Sequence, residues 1–288
     1  MPLIRLASDV TVGEAFADIT GLSFAVAAST NYYFRFVTHF ITDATTTGAR
    51  FGVNGPASPT ALRVGGFLGS GTGAMSSGSQ NAYDTAILAT TTGPGTTPTL
   101  GVIEGILRNG SNAGTLVLRG QAENVTPDGT VTVQAGSTGL LQPVSAVTRV
   151  TADRTVTGTA FADVTDLTFA VSASTNYYFR FVVHYTTNAT TTGARFGING
   201  PASQTAVRIG GLLPTGTANS NFGSQNAYNT AIFAATTGPG ATAVTGIIEG
   251  VFRNGTNSGT LALRFAAEVV SPGSVTVLTD SFGVLATI

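Results

Sequence analysis

Few residues in this chain have the chemistry for catalysis or ligand binding, and they come in matched sets. Glu104 and Glu123 in the first half recur as Glu249 and Glu268 in the second, and each half holds one histidine, His39 and His184. Two carboxylates roughly 5 to 10 Å apart across a groove are what a glycosidase needs, with the pKa of the acid raised. Here Arg108 and Arg119 lie nearby in sequence, and a guanidinium lowers a carboxyl pKa. If the segments ending at Arg108 and starting at Thr115 form a hairpin over NGSNAG, the register sets Glu104 opposite Arg119. The second half repeats this with Glu249 and Arg264. Opposed charges on a sheet stabilise it by about 0.2 to 1 kcal/mol, so the expected role of both pairs is structural.

One histidine per half excludes a zinc site of several histidines within either half. A Ser-His-Asp arrangement would have to use that one residue, and the acids that could orient it are not retained. Asp43 is matched by Asn188 and Asp84 by Asn229. The expectation is a hydrogen-bonded histidine on a sheet face. Asp18 and Asp163, in FADIT and FADVT, read as turn residues bonding their own backbone, and no Asp-rich loop offers a calcium site. The chain has no Cys, and all 13 basic residues are Arg. Thiol nucleophiles, disulfides, Schiff bases and lysine phosphate loops are therefore excluded. Neither a cofactor nor a metal is expected.

The elements that carry these residues are duplicated. Shifting the sequence by 145 positions aligns 16–126 with 161–271 without a gap, and 74 of the 111 pairs are identical. NYYFRFV, TTTGARFG, NGPAS and GSQNAY recur intact. A period this long means whole domains rather than solenoid units, divided as 1–145 and 146–288 with PVSAVT as the joint.

Within each copy, short β-branched and aromatic runs are bounded by Gly, Pro, Asn and Thr clusters, the pattern of an all-β sandwich or barrel. Strands are expected near 10–16, 21–27, 31–41, 49–54, 60–64, 84–90, 99–108, 114–123, 130–134 and 138–142. Eight to ten strands per copy predict two tandem jelly-roll-like antiparallel β-sandwich domains. In NYYFRFVTHF the two-residue period sets Tyr32, Phe34 and Phe36 on a core face, with Tyr33, Arg35, Val37 and His39 opposite. The glycine runs GGFLGSGTG and GGLLPTGTA lack phosphate-loop spacing and read as long loops over 65–82 and 210–227, where the copies diverge most. Gly66, Phe67 and Leu68, with Gly211, Leu212 and Leu213, are the candidate interface loops, each meeting a different neighbour.

Charged residues make up 9% of the chain against about 25% in an average soluble domain. Interface centres are depleted in Lys, Glu and Asp, so this composition fits a subunit largely covered by neighbours. The net charge of -1 is scattered, which argues against a nucleic-acid partner. No run reaches the length of a spanning helix, so no membrane partner is expected. MPLIRLASDV has no apolar signal core, and the expectation is synthesis for the cytoplasm or exit without a cleaved leader.

The stretch from TNYYFRFVTHF through TTTGARFGVNGPASPTALR to AYDTAI and IEGILRNGSNAGTLVLRGQAENV resembles a domain of virion structural proteins of tailed bacteriophages, over most of both copies. The resemblance implies a non-enzymatic role in the virion after synthesis in the host cytoplasm, as a capsid decoration or cement protein. A tail or fibre component with a carbohydrate-binding, adhesin role is the alternative. It further implies a homotrimer or other symmetric oligomer, with major capsid or tail proteins as partners.

Overall fold

The computed structural model describes residues 2–70, 75–123, 129–216, 220–233, 235–270 and 272–288. The chain forms two compact units, Met1–Pro143 and Val144–Ile288. Among the described residues all regular structure is β and no helix is long and apolar enough to cross a membrane.

The first unit begins with β1 (Leu3–Arg5), β2 (Val10–Val12), β3 (Ala17–Val26), β4 (Asn31–Thr42), β5 (Ala49–Asn54) and β6 (Ala61–Gly69). It continues with β7 (Met75–Gln80), β8 (Leu88–Ala89), β9 (Thr99–Arg108), β10 (Gly114–Ala122), β11 (Val131–Val133) and β12 (Thr138–Pro143). One sheet has the order β1-β12-β4-β9-β6-β7, with β11 bridging β2 and β4, and the other has the order β3-β10-β5-β8. Neighbours within a sheet are mostly remote in sequence, because most links cross from one sheet to the other. This is the jelly-roll arrangement, enlarged by the β6–β7 hairpin at one edge.

The second unit comprises β13 (Ala146–Arg149), β14 (Arg154–Thr157), β15 (Ala162–Val171), β16 (Asn176–Thr187), β17 (Ala194–Asn199) and β18 (Ala206–Pro214). β19 (Ser220–Gln225), β20 (Val244–Arg253), β21 (Gly259–Ala267), β22 (Ser274–Val277) and β23 (Phe282–Thr287) complete it. Its sheets run β13-β23-β16-β20-β18-β19, with β22 bridging β14 and β16, and β15-β21-β17.

Alternation builds the core. Tyr32, Phe34, Phe36 and Phe40 of β4 point inward with Phe24 of β3 and Phe51 of β5. Phe24 meets Phe36 at 5.8 Å and Phe40 meets Phe51 edge-on at 5.4 Å, joining the two sheets. Tyr177, Phe179, Phe181 and Tyr185 repeat the row in β16. Tyr33, Val102, Glu104 and Ile106, on the other face of the large sheet, are also buried.

The expected loops over 65–82 and 210–227 are overturned. β6 runs on to Gly69 and pairs with β7, Gly66 opposite Gly78 and Phe67 opposite Ser77. Likewise Gly211, Leu212 and Leu213 are strand residues of β18 paired with β19. Leu68 and Leu213 are core residues with no exposure. The glycines serve close packing within the sheet rather than loop freedom. A Cβ at Gly66 would stand 2.2 Å from the Val102 carbonyl oxygen, and one at Gly211 would stand 2.3 Å from that of Ile247. Gly71, Thr72 and Gly73 of the first run, and Thr217 and Ala218 of the second, lie outside the described residues.

Candidate functional site

Glu104 and Arg119 do not face each other. β9 pairs with β4 and β6 in the large sheet, whereas β10 pairs with β3 and β5 in the small one. NGSNAG is thus a crossing between sheets and not a hairpin turn. Buried Asn109 anchors it, its Nδ2 donating to the carbonyls of Ala27 at 2.7 Å and Asn112 at 2.8 Å. Ala27 belongs to the link between β3 and β4, so two crossings are tied together at one end of the sandwich. Asn254 makes the same contacts to Ser172 and Asn257 in the second unit. The correction applies there too, since Glu249 lies on β20 and Arg264 on β21, in different sheets.

Each glutamate finds its partners on the neighbouring aromatic strand. Glu104, 1% exposed, stands opposite Arg35 in the β4–β9 register and accepts a hydrogen bond from the Tyr33 hydroxyl. Glu249 accepts from Tyr178 at 2.9 Å and is bonded by Arg180. Sequence reading placed Tyr33 and Arg35 on one face of β4 without naming them as partners of Glu104. The β4–β9 register that joins them is set by sheet order.

Arg119 is instead the centre of a separate cluster on the small sheet. Its Nε lies 2.9 Å from Asp18, one Nη bonds Asp84, and the other donates to the Phe16 carbonyl at 2.6 Å. The hydrogen bond to Asp84, reinforced by both negative charges, raises the Arg119 pKa further. Arg264 repeats the design with Asp163 at 2.7 Å, Asn229 at 2.6 Å and the Phe161 carbonyl at 2.7 Å. Asp18 and Asp163 are therefore guanidinium partners rather than turn caps. A register shift between Val117 and Arg119, repeated between Asp163 and Thr168, brings Arg119 opposite Asp18 and Arg264 opposite Asp163. Bulges re-aim side chains in this way.

Glu123 and Glu268 are paired as well. Glu123 lies 3.5 Å from Arg50, and Glu268 lies 3.8 Å from Arg195. Glu104 and Glu123 thus sit in different settings, one within the large sheet and one just past the end of a small-sheet strand. His39 is exposed, while His184 is buried with Nδ1 2.8 Å from the Thr245 hydroxyl. Among the described residues no cluster of three or more His, Cys, Asp or Glu could hold a metal ion.

Tyr83 and Tyr228 offer no exposed aromatic platform. Both pack partly buried against the cores, and Tyr228 lies 6.2 Å from the Phe252 ring. What unit 1 does present is an open depression of about 540 Å3 on the outer face of the small sheet, bordered by Asp18, Thr20, Ser23, Asn54, Thr115 and Val117.

These features define a class: a duplicated jelly roll whose acidic groups are largely held by guanidiniums, tyrosine or backbone. No family model and no curated protein sequence matches the chain. A chain in a solved structure titled "Structure of the Macrobrachium rosenbergii Nodavirus" aligns over 92% of this chain and 88% of its own, at 10% identity and a TM-score of 0.15.

Proposed function

We propose that this chain is a non-enzymatic virion structural protein that decorates or cements a particle through contacts spread over two rigid β-sandwiches. The observation that carries the reading is how the charge is used. Only 9% of the residues are charged, and Glu123, Glu268, Asp18, Asp84, Asp163 and Glu249 all lie against arginine. A carboxylate held by a guanidinium is a poor general acid, while a rigid, weakly charged sheet surface suits extended contact with neighbouring subunits. Two domains in one chain also allow two weak contacts to reinforce each other, since engaging one raises the effective concentration of the other. The likeness to phage virion domains supports the same reading, with major capsid or tail proteins and further copies of the chain as partners.

The test is composition of the particle. Quantitative mass spectrometry of purified virions from the source is expected to find this chain in fixed stoichiometry with the major capsid protein, and a reconstruction is expected to place it on the outer shell. Absence from intact virions overturns the proposal. A tail-borne adhesin is the second reading, favoured by the hydroxyl- and amide-lined depression beside Asp18. Glycan-array binding that is lost in Asn54→Ala and Thr115→Ala would support that reading over the first.

A further inference from the structure

The two units differ at the strand that ends the large sheet, β7 reading MSSGSQ and β19 reading SNFGSQ. β19 pairs with β18 alone, and among the described residues no main-chain hydrogen bond joins it to another strand on its far side. An edge of this kind is a template for another strand, and proteins guard such edges with charge, proline or bulges. The sequence SNFGSQ has no charge and no proline, and its pairing with β18 runs without a register shift.

Phe222 sits in the middle of this edge and is 81% exposed. It lies opposite Leu212 in the ladder, and Leu213 is a core residue, so Leu212 and Phe222 share the outward face. Gly223 faces inward, where a Cβ would meet the Ile232 carbonyl at 1.8 Å. The matching strand of the first unit, β7, carries Ser77 in place of Phe222. The aromatic is thus a property of one edge per chain.

We propose that β19 is a homodimerisation edge, two copies of the chain pairing antiparallel through it with Phe222 opposite Phe222. A two-fold axis perpendicular to the sheet keeps outward faces together and must therefore pass through a residue position. Centred on Phe222, it sets Ser220 against Ser224 and Asn221 against Gly223. Every cross-strand pair is neutral, so a second copy meets no like charge. The two phenyl rings form an aromatic pair of the kind that favours sheet association, and Asn221 finds no side chain opposite. A two-fold contact of this kind closes on itself and yields a dimer rather than a filament. The inference is independent of the virion assignment, which fails or stands on particle composition.

Sedimentation velocity on the full chain over a concentration series provides the test. Wild type is expected to show a reversible monomer–dimer equilibrium. Phe222→Asp and Phe222→Arg each place like charges face to face, and each is expected to raise the dissociation constant by about tenfold or more. An equimolar mixture of the two is expected to recover dimerisation, because only residue 222 facing residue 222 brings the opposite charges together. Ser77→Asp on β7 is expected to leave the equilibrium unchanged. Phe222→Ser, which installs the residue of the first unit, gives a folded variant if the charged ones misfold, and it too is expected to weaken the dimer. A wild type that stays monomeric, a dimer indifferent to Phe222→Asp, a mixture that does not recover, or loss of the dimer in Ser77→Asp would each overturn the proposal.

Discussion

Asn229 shows what the cluster around Arg119 requires. It stands where the first unit has Asp84, with nearly the same positive φ of 55° against 56°, and it still bonds Arg264 at 2.6 Å. Arg119 is partly exposed and its two aspartates are about half exposed, the regime in which an ion pair contributes about 0 to 1 kcal/mol. Asp84→Asn is therefore expected to cost less than about 1 kcal/mol in denaturant unfolding. Arg119→Ala is expected to cost more, because it leaves two carboxylates close together and the Phe16 carbonyl without its donor. Equal costs for the two variants would contradict the bridging role. Tyrosines set a second residue-scale expectation. Burial pushes Tyr83 and Tyr178 up to about 12, and it raises Tyr185 and Tyr228 as well. A group whose folded pKa is raised contributes stability that is intact below its unfolded value, here 10.0, and lost as pH climbs toward the folded value. The melting temperature should fall between pH 10 and about 12. Phenolate absorbance is expected to rise with unfolding rather than before it. Tyrosines that titrate fully near their ordinary value in the folded protein would refute this.

At the scale of elements, glycine spacing decides how closely the strands approach. A Cβ at Gly48 would sit 1.5 Å from the Thr90 carbonyl oxygen, and one at Gly193 would sit 1.7 Å from that of Ala235. Backbone must move to admit either, so Gly48→Ala and Gly193→Ala are each expected to cost about 1 to 3 kcal/mol or more. Gly13 has nothing within 4 Å of its Cβ position, and Gly13→Ala should stay within about 0.5 kcal/mol. Chemical denaturation of the three variants checks the order. The same property explains why the second half of β6 and the whole of β7 have the sequence pattern of a loop. GGFLGSG has the composition of a flexible link, yet Gly66 and Gly105 stand beside the Val102 and Arg63 carbonyls at distances that admit no side chain. By contrast β4, β9 and β10 are legible as strands from their aromatic and β-branched runs, and in β4 the two-residue alternation also fixes the inward face. Residues 84–90 shrink to a two-residue strand at Leu88–Ala89, preceded by Asp84 at positive φ.

For the whole molecule, the division at Pro143 and Val144 leaves each half with its own buried cluster of aromatic and aliphatic side chains. Chains covering 1–143 and 144–288 are expected to fold separately, each with one cooperative thermal transition. A half that shows no transition would mean that its core depends on the other. Because the units share most of their sequence yet differ at β7 and β19, function that depends on those edges should differ between halves, whereas stability should be similar.

The sequence alone determined that the chain is all-β, that it is duplicated, which face of β4 is core, and that thiol and lysine chemistry is excluded. These follow from local periodicity, self-alignment and composition, which need no knowledge of distant contacts. Tertiary structure decided which residues meet. Glu104 goes to Tyr33 and not to Arg119, because the six residues of NGSNAG carry the chain between sheets instead of turning it back. Arg119 reaches Asp18 and Asp84 through pairing of strands far apart in the chain, and nothing in the spacing along the chain encodes that choice. Partners in a jelly roll are set by sheet order, a property of the whole fold.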